Sequence, residues 1–178
     1  MANVSTTGYA ILGLLSLRTW TTYELAEQMR RALGQFWPRA ESGIYTEPKK
    51  LVAAGFAKST TEYVGKRRRE RYEITVAGRR ALQQWVPAEG AGPVIEFESL
   101  IKVFFAEHGS KADLLNALRD IKTKNEDFVV ATQAPSAEYL EGQGNYPERL
   151  PWLVLCGRFL EQFDRLDDDW STWAIETV

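Results

Sequence analysis

Two stretches of this chain read as β-strand, and they are neighbours. Phe56 to Val64 ("FAKSTTEYV") and Glu70 to Val76 ("ERYEITV") are rich in β-formers with partial alternation, and "GKRRR" lies between them. That pattern predicts one β-hairpin with a cationic tip. Nearly all the rest carries helical spacing. The expected fold is therefore mainly α with one small β-hairpin set among helices.

On the N-terminal side, Tyr9 to Leu17 ("YAILGLLSL") reads as an apolar helix buried on most sides. Thr21 with Glu24 three residues later is a capping-box pattern that opens a second helix. Leu25, Met29 and Leu33 give that helix one apolar stripe. After the loop "GQFWPRAE", a third helix runs from about Ser42, a good N-cap, to Ala54, with Gly55 as its stop. Pro48 leaves a second option, because proline inside a helix removes one backbone bond and clashes with the carbonyl four residues back. The helix then begins near Pro48. Beyond the hairpin, "AGRRALQQWV" resumes helix.

The stretch "PAEGAGPVIE", Pro87 to Glu96, breaks the pattern and suggests two domains, 1–88 and 89–178. Charge divides there too. Residues 1–90 hold 14 Lys+Arg against 8 Asp+Glu; residues 91–178 hold 8 against 16. The total is −2, so the concentration of cations in the first half is hidden in the sum. Such asymmetry suggests that one half faces a polyanion, although two solvated surfaces of opposite sign would give the same count.

On a helical wheel, Ile44, Pro48, Leu51 and Gly55 of the third helix share one side. Ser42, Thr46, Lys49, Lys50 and Ala53 share the other, with Tyr45 on the flank and Glu47 pointing elsewhere. A basic, hydroxyl-bearing face of this kind suits a DNA major groove, where lysine reaches guanine O6/N7 or phosphate. A capped helix, a loop, a second helix with a basic face and then a basic-tipped hairpin is the order of a winged helix-turn-helix. In that motif the second helix reads bases while the first crosses the backbone. Thr22 and Tyr23, at the start of the capped helix, are backbone-contact candidates. Ser42, Tyr45, Thr46, Lys49 and Lys50 are candidate readers. Lys66, Arg67, Arg68, Arg69 and Arg71 are expected to clamp phosphate or an adjacent minor groove.

The stretches "YAILGLLSL", "TYELAEQM", "SGIYTEPKKLVAAGFAK" and "RRRERYEITVAGRRAL" resemble the PadR-like family of transcriptional regulators, in the group with a compact C-terminal helical domain. The most specific piece is "ERYEITVAGRRAL", where Arg71, Tyr72, Ile74, Thr75 and Gly78 match the family's wing pattern. The resemblance covers roughly residues 8–86 well and the remainder more loosely. It implies an N-terminal winged helix-turn-helix on a C-terminal helical dimerisation domain. It also implies a homodimer that binds a palindromic operator in double-stranded DNA, usually as a repressor. Some relatives are released by small phenolic or drug-like ligands, so a small aromatic effector is a candidate partner here, with Trp37, Trp85, Trp152, Phe159 and Trp170 as candidate contacts. The alternative is a winged-fold adaptor that binds protein and not DNA, which would have no need of the basic tip.

The second half reads as helix throughout. Leu100, Ile101, Phe104, Phe105 and His108 stripe one helix. Leu114, Leu118, Ile121, Asn125 and Phe128 recur at spacings of 4, 3, 4 and 3, a heptad-like seam whose Asn would fix register. A loop is expected from about Pro135 to Pro147, and a last helix from about Arg149 to Leu166, with the acidic "DRLDDDW" solvated at its end. Trp152, Phe159 and Phe163 on that helix join the seam as dimerisation candidates; closure of an intramolecular core is the other reading of the seam.

No catalytic constellation, phosphate-binding glycine loop or metal-ligating Cys/His cluster is legible, so neither an enzyme nor a resident metal or cofactor is expected. One cysteine, Cys156, cannot form an internal disulfide and is expected in the core; His108 is expected half-buried on its apolar stripe. No apolar run reaches the length of a membrane span, and "YAILGLLSL" lacks the basic start of a signal peptide, so the expected location is the cytoplasm.

Overall fold

The computed structural model describes residues 4–39, 41–140 and 146–178, with the side chains of Glu41, Val64, Arg67 and 126–140 left out of the description. The chain divides into two compact units, Met1–Gly92 and Pro93–Val178. The division falls inside the Pro/Gly-rich stretch, four residues beyond the expected 88.

Unit 1 is built from α1 (Thr6–Leu15), β1 (Trp20–Thr21), α2 (Thr22–Leu33), α3 (Glu41–Ala53), β2 (Ala57–Val64), β3 (Arg67–Ile74) and α4 (Val76–Trp85). Its core gathers Ile11, Leu12 and Leu15 of α1, Leu25 and Met29 of α2, Ile44 and Leu51 of α3, and Tyr72 and Ile74 of β3. Full burial of each such aliphatic side chain favours folding by about 1.5–3 kcal/mol relative to exposure.

The sheet has three strands where the sequence indicated two. They are antiparallel in the order β1-β3-β2. The added strand is two residues long, Trp20 opposite Tyr72 and Thr21 opposite Arg71. Trp20 is held there by its indole N–H, which donates to the Leu14 carbonyl at the end of α1 (2.8 Å). A strand this short leaves no alternation to detect.

β2 and β3 pair from Ala57↔Ile74 to Val64↔Arg67, which leaves Gly65 and Lys66 as a two-residue turn. Gly65 has φ +61, a conformation that glycine adopts without steric cost. The basic run is therefore mostly strand and not tip: only Lys66 lies in the turn.

α2 carries the expected capping box. Thr21 Oγ1 accepts from Glu24 N–H (3.3 Å) and Thr21 N–H donates to a Glu24 carboxylate oxygen (2.6 Å). α3 begins at Glu41, so the late start at Pro48 is not what the chain does, and Ser42 is its second residue rather than its cap. Pro48 lies inside the helix, on the fully buried side with Ile44 and Leu51. Gly55, at φ +76, ends the turn that follows.

The junction from β3 to α4 gives the "ITVAG" pattern its physical reason. Thr75 caps α4 by accepting from Gly78 N–H (3.0 Å), and its hydroxyl donates to the Gly55 carbonyl (2.8 Å). The first turn of α4 thereby lies directly on the Phe56 carbonyl, so close that a Cβ on Gly78 would collide with it.

Unit 2 consists of α5 (Glu98–Phe104), α6 (Lys111–Leu140) and α7 (Leu150–Thr177), with short 3-10 turns at Ala106–His108 and Pro147–Arg149. α6 continues through Pro135, where a loop was expected, and α7 carries the "DRLDDDW" cluster within it rather than after it. α6 packs along α7 and against α5. The core is Leu118, Ile121 and Ala174, with Leu114, Phe97, Val103, Trp170 and Ile175 packed on it. The Asn125 amide donates to the Asp164 carbonyl across the two long helices (2.9 Å).

Two burial expectations for this unit, those for His108 and Cys156, are corrected. The α5 stripe faces outward: Leu100, Ile101, Phe104 and Phe105 are all exposed, and the residues turned inward are Ser99 and, in part, Val103. His108 is exposed on its 3-10 turn rather than half-buried, and Cys156 is exposed rather than in the core. Among the described residues, no helix is long and apolar enough to cross a membrane.

Candidate nucleic-acid interface

Thr22, Tyr45, Lys49, Arg68 and Glu70 line one open groove of about 390 Å³. They arrive from three elements. Thr22 is the first residue of α2, Tyr45 and Lys49 lie on the outward side of α3, and Arg68 and Glu70 come from β3. The period-two alternation of β3 explains the last pair. Tyr72 and Ile74 face the core, so Glu70 and Arg68 continue the same side of the strand beyond the core's edge.

Four of the five lining residues were candidates from sequence. Glu70 was not, although alternation from Tyr72 was the signal that could have found it. Its carboxylate accepts from an Arg68 guanidinium N–H on one oxygen (3.1 Å) and from the Tyr72 hydroxyl on the other (2.8 Å). Burial and this carboxylate hold the Tyr72 hydroxyl above its ordinary pKa, while a hydrogen bond with Thr22 acts in the opposite direction. Tyr72, Glu70 and Arg68 thus form one continuous chain of side-chain hydrogen bonds from the core to the wing.

The remaining candidates divide by what already holds them. On α3, Lys50 is paired with the mostly buried Glu47 (2.8 Å), and the Thr46 hydroxyl donates to the Gly43 carbonyl of its own helix (3.0 Å). Ser42 is exposed at the helix start. Lys49 has no carboxylate partner among the described residues. Tyr23 stands exposed on the first turn of α2. Lys66 and Arg69 are exposed on the wing, and the side chain of Arg67 lies outside the described residues.

Arg71 differs from the other wing cations. Its guanidinium contacts Glu62 of β2 (3.0 Å), Glu24 of α2 (3.8 Å) and the Thr19 carbonyl (3.5 Å). It ties the wing to the start of α2, and it was placed among the clamp residues only because the sequence does not show its partners. Burial pushes the Glu24 carboxyl up, but hydrogen bonds from Thr21 and the charges of Arg18 and Arg71 outweigh it and hold it below its ordinary value. Tyr63, exposed and paired across the hairpin with Arg68, is a wing residue that the sequence reading passed over.

Of the dimerisation candidates, Leu118 and Ile121 are each 1% exposed and are covered within their own unit by α7. Leu114 packs on the same cluster and Asn125 is buried against α7; the side chain of Phe128 lies outside the described residues. The described part of the α6 seam, Leu114 to Asn125, packs within its own unit. Trp152, Phe159 and Phe163 behave otherwise and stand exposed along α7 with Leu155, Leu166 and Trp173.

The candidate effector contacts are likewise dispersed. Within unit 1, Trp37 packs on the core and donates to the Thr7 hydroxyl (3.3 Å), while Trp85 stacks on Tyr9 (ring centroids 4.9 Å apart). Within unit 2, Trp170 faces α6, and Trp152 and Phe159 share the exposed stripe.

A three-helix head with a stranded wing and a basic groove between helix and wing defines the winged helix-turn-helix class. Residues 11–84 match the family model "Transcriptional regulator PadR-like family", so the winged head of this chain is PadR-like. The curated "Negative transcriptional regulator PadR" of Bacillus subtilis (strain 168) is 32% identical over 114 residues, which span 63% of this chain and 63% of that protein. Two solved structures share the fold over nearly the whole length. Bacillus subtilis PadR in complex with operator DNA superimposes with a TM-score of 0.82 at 23% identity, covering 100% of both chains. The same protein in complex with p-coumaric acid gives 0.76 at 24% identity, covering 97% of this chain and 98% of the other.

Proposed function

We infer that this chain is a repressor that binds a palindromic DNA operator as a homodimer in the cytoplasm, with unit 1 reading DNA and unit 2 pairing with a second copy. The observation that carries the reading is the groove itself. Thr22, Tyr45, Lys49 and Arg68 come from three elements and meet at one open, basic-edged surface. Lys49 supplies the base-edge contact, Tyr45 and Thr22 flank it, and Lys66, Arg68 and Arg69 neutralise phosphate. A protein-interaction adaptor has no use for cations so arranged.

The homodimer is supported by the outward face of α7. Trp152 is 65% exposed, Phe159 58% and Leu166 65%, an apolar stripe that a lone soluble chain rarely leaves in water. Two copies joined there carry two reading heads, and heads about 34–36 Å apart read half-sites one helical turn apart. Repression and release by a small aromatic acid are proposed on the strength of the Bacillus subtilis relative, named as a negative regulator and solved with operator DNA and with p-coumaric acid.

The test is fluorescence anisotropy on duplexes tiling the DNA that flanks the chain's own gene, with salt titrated. Binding that is sequence-selective and falls steeply with salt is the expected result. Absence of binding to every duplex at low salt overturns the reading. Adding p-coumarate to the bound complex tests release.

A further inference from the structure

Glu70 is a carboxylate in a groove that the proposed function gives to a polyanion, and nothing so far accounts for it. Its two oxygens are both committed, one to Arg68 (3.1 Å) and one to Tyr72 (2.8 Å). The Tyr72 ring is buried in the core, so the carboxylate is anchored to a fixed point. Arg68 is the opposite: its side chain is 63% exposed, and an unrestrained arginine there would sweep a wide arc. As a contributor to stability an exposed pair of this kind counts for little. Its consequence lies in where it holds the guanidinium, at the groove that Lys49 and Tyr45 also line.

We propose that Glu70 is a specificity-determining positioning residue, which pins Arg68 at the groove and withholds it from indiscriminate contact with phosphate. This rests on the DNA-binding reading above. A planar guanidinium fixed in one orientation discriminates among base edges and groove shapes; a mobile one adds affinity for any duplex through counterion release. The hydrogen bonds from Tyr72 through Glu70 to Arg68 link this arginine to a ring fixed in the core of the head.

The experiment compares the full chain with its Glu70→Gln, Arg68→Ala and doubly substituted forms. Each is titrated by anisotropy with a duplex that the wild-type protein selects from a random-sequence pool, and with poly(dI-dC). In Glu70→Gln, binding to poly(dI-dC) is expected to tighten, and its slope of log K against log salt to steepen by about 0.9, one added phosphate contact. The ratio of selected to nonspecific affinity is expected to fall roughly fivefold or more, the loss of one oriented contact. In the Arg68→Ala background, Glu70→Gln should then change nothing further. Unchanged affinities in Glu70→Gln overturn the proposal. So does an equal gain with and without Arg68, which would make Glu70 a fixed repelling charge that positions nothing. Should Glu70→Gln melt early, Tyr72→Phe removes the carboxylate's anchor while keeping the buried ring, and the same shifts are expected at smaller size; their absence is equally fatal. Failure of the wild-type chain to select any duplex would instead overturn the DNA-binding reading itself.

Discussion

Unit 1 encloses the aliphatic residues its helices present: Ile11, Leu12, Leu15, Leu25, Met29 and Leu51 are all buried in one cluster, and several of its large exposed side chains are tyrosines with a polar end. Unit 2 does the reverse with much of its apolar content. Its own cluster holds Leu118, Ile121 and Ala174, while Leu100, Ile101, Phe104, Phe105, Trp152, Leu155, Phe159, Leu166 and Trp173 stand in the open. The first unit is finished as a monomer. The second has two apolar surfaces, one buried within the unit and one exposed, and the proposed homodimer gives the exposed one its use.

Substituting one residue from each stripe separates their two roles. Leu118→Ala removes buried methyl groups from the inner seam and should destabilise unit 2 by about 2–5 kcal/mol, read as an early transition in thermal or denaturant unfolding. Phe159→Glu should leave the fold of unit 2 intact yet shift sedimentation from dimer to monomer, with operator binding lost in proportion. If Leu118→Ala instead dissociates a well-folded chain, or Phe159→Glu unfolds it while the wild type sediments as a monomer, the assignment of inside and outside is reversed.

Unit 1 is sensitive in a different place, the strand-to-helix corner. Gly78→Ala puts a Cβ against the Phe56 carbonyl, which is backbone and cannot swing aside. Relief requires the first turn of α4 to move off the Phe56 carbonyl, and overpacking of this kind costs about 1–3 kcal/mol. Circular dichroism melting should show the loss in the winged head. An unchanged melting profile would mean that the corner is looser than the Thr75 bonds to Gly78 and Gly55 indicate.

Smaller effects belong to the reading surface. Lys49→Ala should weaken the selected duplex by about 1–3 kcal/mol and relax preference at one position per half-site. Equal weakening on random DNA would reduce Lys49 to a phosphate contact. Lys66→Ala and Arg69→Ala should each lower the salt slope by about 0.9 on any duplex. Arg71→Ala should act through the loosened wing, lowering the melting point as well as the affinity, because Glu62 and Glu24 lose their shared partner.

What could be read from the sequence follows from which interactions are local. The Thr21–Glu24 capping box, the Gly55 stop and the hairpin are set by residues within a few positions of one another, and they were legible. The strand at Trp20 was not, because two residues carry no period and its placement depends on a hydrogen bond to Leu14 and a partner fifty residues away. The groove was legible in its parts, since Tyr45, Lys49 and Arg68 each carry an evident chemistry. Which cations are already held was not: the partners of Arg71 lie on α2 and β2, far off in sequence or across the hairpin. Regular spacing on α6 and α5 identified the stripes correctly but could not say what covers them. A heptad seam has the same spacing whether its partner is α7 of the same chain or a second copy.

Acid separates the two units by the smallest margin. In unit 1, the Glu24 carboxyl is held below its ordinary 4.5 despite partial burial, by Thr21 and by Arg18 and Arg71. Its contribution to stability is therefore full above that value and is lost as pH falls through the lowered folded value. In unit 2, burial raises the Asp164 carboxyl above its ordinary 3.8, and the neighbouring charges of Asp167 and Glu161 raise it further; burial and Asp168 do the same to Asp167. One Asp164 carboxylate oxygen is buried without a hydrogen-bond partner among the described residues. A carboxyl whose folded pKa is raised binds its proton more tightly when folded, so it destabilises the charged form at neutral pH, and that penalty is relieved as pH falls through the raised value. Exposed carboxylates of the same unit, Asp113, Asp120 and Glu161, are shifted downward by their partners and work against the relief. Asp164→Asn isolates the buried group. It should raise the melting midpoint of unit 2 at neutral pH, raise it less in mild acid, and leave the melting of unit 1 unchanged at both. A gain that is the same at the two pH values would mean that the Asp164 carboxyl binds its proton equally well folded and unfolded, and a loss at neutral pH would mean that its carboxylate has a cationic partner.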